Sequence, residues 1–332
     1  MDVQKLLQMP EYEFLHHLER PVLFMTLGGS YAYGTNREGS DIDVRGCVLN
    51  RPEELLGLSK FDAFADRNTD TTIYGFNKLI SMLIDCNPST MELLFCKPEH
   101  YFMVSNEGHF LLDSRNLFLS QRAIYSFGGY ANRMLRQLRT FLADHDPTPD
   151  EREEEFFRTA QHMIEGCQYR YTGIPSGTFS LYLDKARDPG KNMEVFLDVH
   201  ADHISLREIN SVLNELGSTR ESYEKLCKRN TKKDEVHLNK HIMHLCRLYL
   251  MIFDILEKGQ FSTYREADHN FLMDVRNGKF LQNGVLTEEF EELLVAYEKR
   301  LQYDKQNTSL PEQPDIKKIE ELMVEINRKA VM

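Results

Sequence analysis

The sequence predicts an α+β protein, with a sheet domain over residues 1–112 followed by a mainly helical domain over 113–332. Three observations carry that expectation. A chain of 332 residues is long enough for two cores. Strand-length apolar runs separated by polar turns cluster before residue 112. From about residue 115 the apolar residues instead recur at helical spacing.

In chain order, "VLFMTL", "DVRGCVL", "TTIYGF" and "MELLF" read as strands. The segment "NKLISMLIDC" between the last two reads as a helix, closed by "NPST" at 87–90, because the residue before a proline is pushed out of the α region. Beyond it, "YSFGGYANRMLRQLRTFLADH", "EFFRTAQHMIEGCQYRY", "LREINSVLNELGS" and "LNKHIMHLCRLYLMIFDILEKG" repeat apolar residues in a helical stripe. The acidic run "DHDPTPDEREEE" and the basic run "KRNTKKDE" at 228–235 are expected as exposed loops. "NTSLPEQPD" reads as a surface connection before a last short helix.

Composition narrows the function classes. The longest apolar runs are too short for a membrane span or carry a charge, and "MDVQKLLQMPEYEF" lacks a basic-then-apolar leader. A cytoplasmic protein without a membrane partner is expected. Six cysteines (Cys47, Cys86, Cys96, Cys167, Cys227, Cys246) lie in apolar contexts without a CxxC pair, as reduced core residues do. A net charge of −12 repels phosphate polymers as a whole and argues against an extended DNA groove.

One stretch carries chemistry. In "VLFMTLGGSYAYGT" a strand is followed by glycines that let the backbone bend and approach a ligand, and then by Ser30 at the start of a helical turn, an arrangement suited to phosphate. "SDIDV", whose Asp41 lies eleven positions after Ser30, opens the next expected strand, where alternation places Asp41 and Asp43 on one face. Adjacent carboxylates repel unless a cation sits between them, and hard oxygen ligands suit Mg²⁺. A phosphate cradle beside a carboxylate pair is the equipment of two-metal phosphoryl transfer.

These residues carry a resemblance. "GGSYAYGTNREGSDIDVRG" resembles the active-site signature of the DNA polymerase β nucleotidyltransferase superfamily. Together with "NPSTMELLF" and "KHIMHLCRL", it resembles the predicted nucleotidyltransferase branch that includes RNA-ligase-associated members. The resemblance implies a polymerase-β-like sheet domain and a helical domain that closes the nucleotide cleft. It also implies that Gly29 and Ser30 hold the triphosphate, with Thr35, Tyr33 and Arg45 as neighbours, and that Asp41 and Asp43 bind Mg²⁺, with Mn²⁺ as the alternative. A third carboxylate belongs at the edge of a later strand. "DRNTDTTIYGF" offers Asp66 and Asp70, and Asp70, which abuts the strand, is the preferred metal ligand and catalytic residue.

On the helix "VHLNKHIMHLCRLYLMIF", Leu238, Ile242, Leu245, Leu248, Leu250 and Met251 supply a packing face. His237, His241 and His244 share another face, but no cysteine or carboxylate is placed to complete a zinc site. Lys240, His244 and Arg247 form a cationic stripe, and no acid occurs between Val236 and Asp254 to neutralise it. Under the resemblance these three residues bind the nucleotide. The expected activity is transfer of an NMP from an NTP to an acceptor hydroxyl (an RNA 3′-end, a small molecule or a protein) with release of pyrophosphate. Two other readings compete: an NTP-binding regulatory module, and an antitoxin-like protein that AMPylates a partner.

Overall fold

The structure is a computed structural model that describes residues 6–142, 148–170, 174–175, 177–189, 192–227 and 234–331. The first stretch contains β1 (Val22–Leu27), α1 (Gly29–Tyr33), β2 (Val44–Val48), α2 (Pro52–Leu55), β3 (Ala63–Asp66) and β4 (Thr71–Gly75). It continues with α3 (Phe76–Ile84), α4 (Pro88–Leu94), β5 (Tyr101–Phe102), α5 (Asn106–Asp113) and α6 (Arg122–Leu142). Then come α7 (Pro149–Arg170), the strands β6 (Phe179–Lys185) and β7 (Met193–Val199), and α8 (Leu206–Cys227). The last stretch holds α9 (Glu235–Lys258), α10 (His269–Arg276), β8 (Leu281–Gln282), β9 (Val285–Leu286), α11 (Glu288–Asn307) and α12 (Ile316–Val331).

Two compact units result, and both mix helix and strand. One comprises residues 1–138 with 234–332, the other residues 139–233. The expected boundary at 112/113 therefore does not coincide with the division by contacts, because the chain leaves the sheet unit and returns to it.

In the first unit, five strands are ordered β3-β4-β2-β1-β5. β2 and β4 run parallel, and the other neighbours are antiparallel. Leu27, Val44, Val48, Ile73 and Phe102 turn into a core closed by Tyr12 and Leu15 of the N-terminal segment. Burying such side chains stabilises the fold by about 1.5–3 kcal/mol each. In the second unit, α7, α8 and the antiparallel β6–β7 hairpin enclose Ile164, Ile174, Phe179 and Val212. Buried Glu153 ties that unit together, accepting from Arg220 at 2.8 Å and from the backbone N–H of Val195 at 3.0 Å.

Several local expectations are corrected. "MELLF" is helical rather than a strand. The Asn87 side chain accepts from the Ser89 N–H, Pro88 occupies the first turn, and the segment continues as α4, so "NPST" starts a helix as well as ending one. Most of the acidic run is also helix. Thr148 and Glu151 form a reciprocal cap, and residues from Pro149 onward open α7, while 143–147 lie outside the described residues. The basic run at 228–233 lies outside them too, and Asp234 caps α9 by accepting from the His237 N–H at 2.9 Å. The sequence pattern does not predict strands β3, β5, β6, β7, β8 or β9. Cys47, Cys86 and Cys246 are buried free thiols and Cys96 is a half-buried one; the side chains of Cys167 and Cys227 lie outside the described set. Among the described residues no helix is long and apolar enough to cross a membrane.

Candidate active site

β1 ends at Leu27 and hands the chain to Gly28 and Gly29. Gly29 has φ +53°, a region that costs other residues about 1–2 kcal/mol, and a Cβ there would overlap the carboxylate of Asp43. Glycine is therefore required twice over at this position. The Gly28 N–H donates to the Asp43 carbonyl at 2.8 Å, which fastens the turn to the chain entering β2. Ser30 lies buried directly behind the turn.

Asp41, Ile42 and Asp43 precede β2 rather than belonging to it, so strand alternation does not set their directions. The parallel register does more. Val44 pairs with Thr71, so the residues just before them, Asp43 and Asp70, stand side by side at the same sheet edge. Their carboxylates act directly on each other. Arg45 reaches both, at 3.0 Å to Asp43 and 3.3 Å to Asp70, and also donates to the Asp70 carbonyl. Burial, with the neighbouring Asp70 carboxyl next, raises the Asp43 carboxyl to about 6, whereas the proximity of Asp43 lowers Asp70. Asp66 is engaged elsewhere, accepting from the Thr69 hydroxyl at 2.7 Å and from the backbone N–H groups of Asn68 and Thr69 to close the β3–β4 turn.

Two cavities flank this edge and share Ser30, Asp43 and Lys240 as a common wall. The first, about 330 Å³, adds Gly29, Tyr33, Leu93, Tyr130, Met134 and Leu248, an aromatic and apolar lining with Glu92, His244 and Arg247 among it. The second, about 300 Å³, adds Asp41, Asp70, Arg37, His237 and Arg276. Lys240 is exposed, and its charge acts on both Asp43 and Asp70.

The cationic stripe of α9 divides. Arg247 is only 4% exposed, pairs with Glu92 at 2.5 Å and lies 3.5 Å over the ring of Tyr33, whose hydroxyl donates to the other Glu92 oxygen at 2.7 Å. This corrects the expectation that its charge is open to phosphate: α4 supplies the acid that α9 lacks. Burial, reinforced by Arg247 and Lys240, holds the His244 ring well below its ordinary pKa and therefore neutral. Thr35 is fully buried and lines neither cavity; its carbonyl accepts from Arg276. His237 pairs with Asp234.

Sequence reasoning missed Glu92, Arg37 and Arg276. A lone acid inside the apolar run "TMELLF" was a readable sign of a buried charge with a distant partner. Arg37 and Arg276 become neighbours only through the fold.

The donor chemistry suits a hard divalent cation: two carboxylates brought side by side repel each other unless a positive charge lies between them. Among the described residues no three His, Cys, Asp or Glu side chains gather closely enough to hold a metal. Asp41 stands exposed on the wall of the second cavity.

Residues 2–148 match the RNA repair pathway DNA polymerase beta family. No curated protein and no solved structure matches the chain. The matched stretch holds the five-stranded sheet, the glycine turn and all three aspartates, and it supports a polymerase-β-like nucleotidyltransferase over that part of the chain.

Proposed function

We propose that the protein transfers a nucleoside monophosphate from an NTP to an acceptor hydroxyl in RNA repair, releasing pyrophosphate. The observation that carries this reading is the meeting of Asp43 and Asp70 at the edge of parallel strands, against the Gly28–Ser30 turn and under the influence of Lys240. The first cavity takes the nucleoside on its aromatic and apolar side. Gly29, Ser30 and Lys240 take the triphosphate. Asp41, Asp43 and Asp70 would hold Mg²⁺ or Mn²⁺, which when bound neutralises charge developing on the phosphates.

The acceptor oxygen bonds to the α-phosphorus, the bond from that phosphorus to the bridging oxygen of the β-phosphate breaks, and pyrophosphate leaves. Asp70 orients the acceptor hydroxyl and receives its proton. Neutral His244 touches the nucleotide by hydrogen bonding rather than by charge. Arg247, already paired with Glu92, keeps Tyr33 and α1 in position. Thr35 lines neither cavity, and its carbonyl fixes Arg276 on the wall of the second, away from the nucleoside.

The test incubates the protein with each α-labelled NTP, Mg²⁺ or Mn²⁺, and an RNA pool or cell extract. Label joined to an acceptor, with equal release of pyrophosphate, is the expected result. Ser30→Ala should raise the NTP KM more than it lowers kcat, since the turn holds phosphates in ground and transition states alike. Tight NTP binding without pyrophosphate release would favour a regulatory module, and label on a partner protein would favour AMPylation.

A further inference from the structure

Arg37 and Arg276 are far apart in sequence and adjacent in the second cavity. Arg37 donates to the Arg276 carbonyl at 3.1 Å and to the Asn277 side-chain oxygen, while Arg276 donates to the Thr35 carbonyl. Both guanidinium groups are thus fixed by neutral oxygens. Among the described residues neither has a carboxylate partner within ion-pair distance. A guanidinium carries five N–H donors, so most of each fork is left for a ligand. Burial and the positive charge of Arg37 hold the Arg276 guanidinium below its ordinary pKa. Glu38, Asp41, Asp43 and Asp70 line the same cavity, but none is ion-paired to either arginine; two like charges fixed together favour an anion between them, and planar forks match phosphate oxygens bidentately.

The position says which phosphate. Asp70, the residue assigned above to the acceptor hydroxyl, lines the second cavity and not the first. The lining suited to a nucleoside, including Tyr33, Tyr130 and Met134, belongs to the first. We propose that Arg37 and Arg276 bind the phosphodiester next to the attacking hydroxyl of the acceptor, so that the acceptor is the end of a nucleic-acid strand. This assignment rests on the nucleotidyl-transfer reading for the identity of the acceptor side. With a chain charge of −12, contact is confined to the few terminal phosphates, and affinity should stop rising once the strand is a few nucleotides long.

The experiment measures equilibrium binding of a short 3′-hydroxyl oligoribonucleotide, over a range of salt, and separately of ATP, to the full chain and to Arg37→Ala and Arg276→Ala. Each substitution is expected to weaken the oligonucleotide about tenfold, to reduce the salt slope by about 0.7, and to leave ATP affinity unchanged. Weakened ATP with unchanged oligonucleotide would give the pair to the triphosphate and overturn the proposal. So would unchanged binding of both, or a wild type that does not bind the strand. If an alanine variant fails to fold, Arg37→Lys and Arg276→Lys decide. They keep the charge but lose the fork, and should lose strand affinity at wild-type melting temperature; full strand affinity in both would overturn the proposal. A wild type that releases no pyrophosphate, yet binds the strand through both arginines, would overturn the transfer reading and keep the strand site.

Discussion

Arg247 of α9 and Glu92 of α4 meet at 2.5 Å across 155 residues of sequence, both in the interior, and Tyr33 of α1 completes the contact on the second carboxylate oxygen. Removing one partner of a buried pair leaves the other uncompensated. Glu92→Ala is expected to lower stability by about 3–5 kcal/mol in urea denaturation. Tyr33→Phe, which removes only one hydrogen bond to a buried carboxylate, should cost about 1–2 kcal/mol. A Glu92→Ala protein as stable as the wild type would show that the pair does not hold these three helices.

Gly29→Ala is expected to damage activity beyond its effect on stability. The positive φ penalises alanine by about 1–2 kcal/mol, and the new methyl group would displace the Asp43 carboxylate. Label transfer should fall to background in a protein that still melts cooperatively. Near wild-type turnover would mean that the position of Asp43 against the turn is unimportant.

A pH effect should arise at Asp304, which lines neither cavity. Asp304 is buried beside Glu257, and burial followed by that neighbouring charge raises its carboxyl to about 6. The folded protein therefore holds this proton more tightly than the unfolded chain, where aspartate titrates near 4. The stabilisation is complete below about pH 4 and is lost as pH rises through about 6. Asp304→Asn, which mimics the protonated acid, should be neutral near pH 4 and stabilising by on the order of 1–3 kcal/mol at pH 7.5. Parallel stability-pH curves for variant and wild type between pH 4 and 7 would contradict this.

The same contacts explain what could be read from the sequence. The strand, turn and aspartates of "VLFMTLGGSYAYGTNREGSDIDV" are local, and spacing together with residue type revealed them. The pairing of Val44 with Thr71 is not local, yet it brings Asp70 to Asp43. Nor could helical spacing show that Arg247 faces Glu92 rather than solvent, because an acid-free stripe looks the same whether its partner is a phosphate or a carboxylate from another helix. The strands "FSLYLDK" and "MEVFLDV" carried a readable alternation, which the surrounding helical pattern obscured.

The most direct measurement compares label transfer from α-labelled NTP by the wild type, Asp43→Asn, Asp70→Asn and Asp66→Asn, with thermal melting as the control for folding. Asp43 and Asp70 form the carboxylate pair, whereas Asp66 closes the β3–β4 turn through Thr69. The account predicts that transfer falls at least about a thousandfold, on the order of 4 kcal/mol, in Asp43→Asn and Asp70→Asn, both folded as the wild type is. Asp66→Asn should keep transfer within a few-fold while losing some stability. Near wild-type transfer by Asp43→Asn or Asp70→Asn, or its loss in a folded Asp66→Asn, would contradict the account.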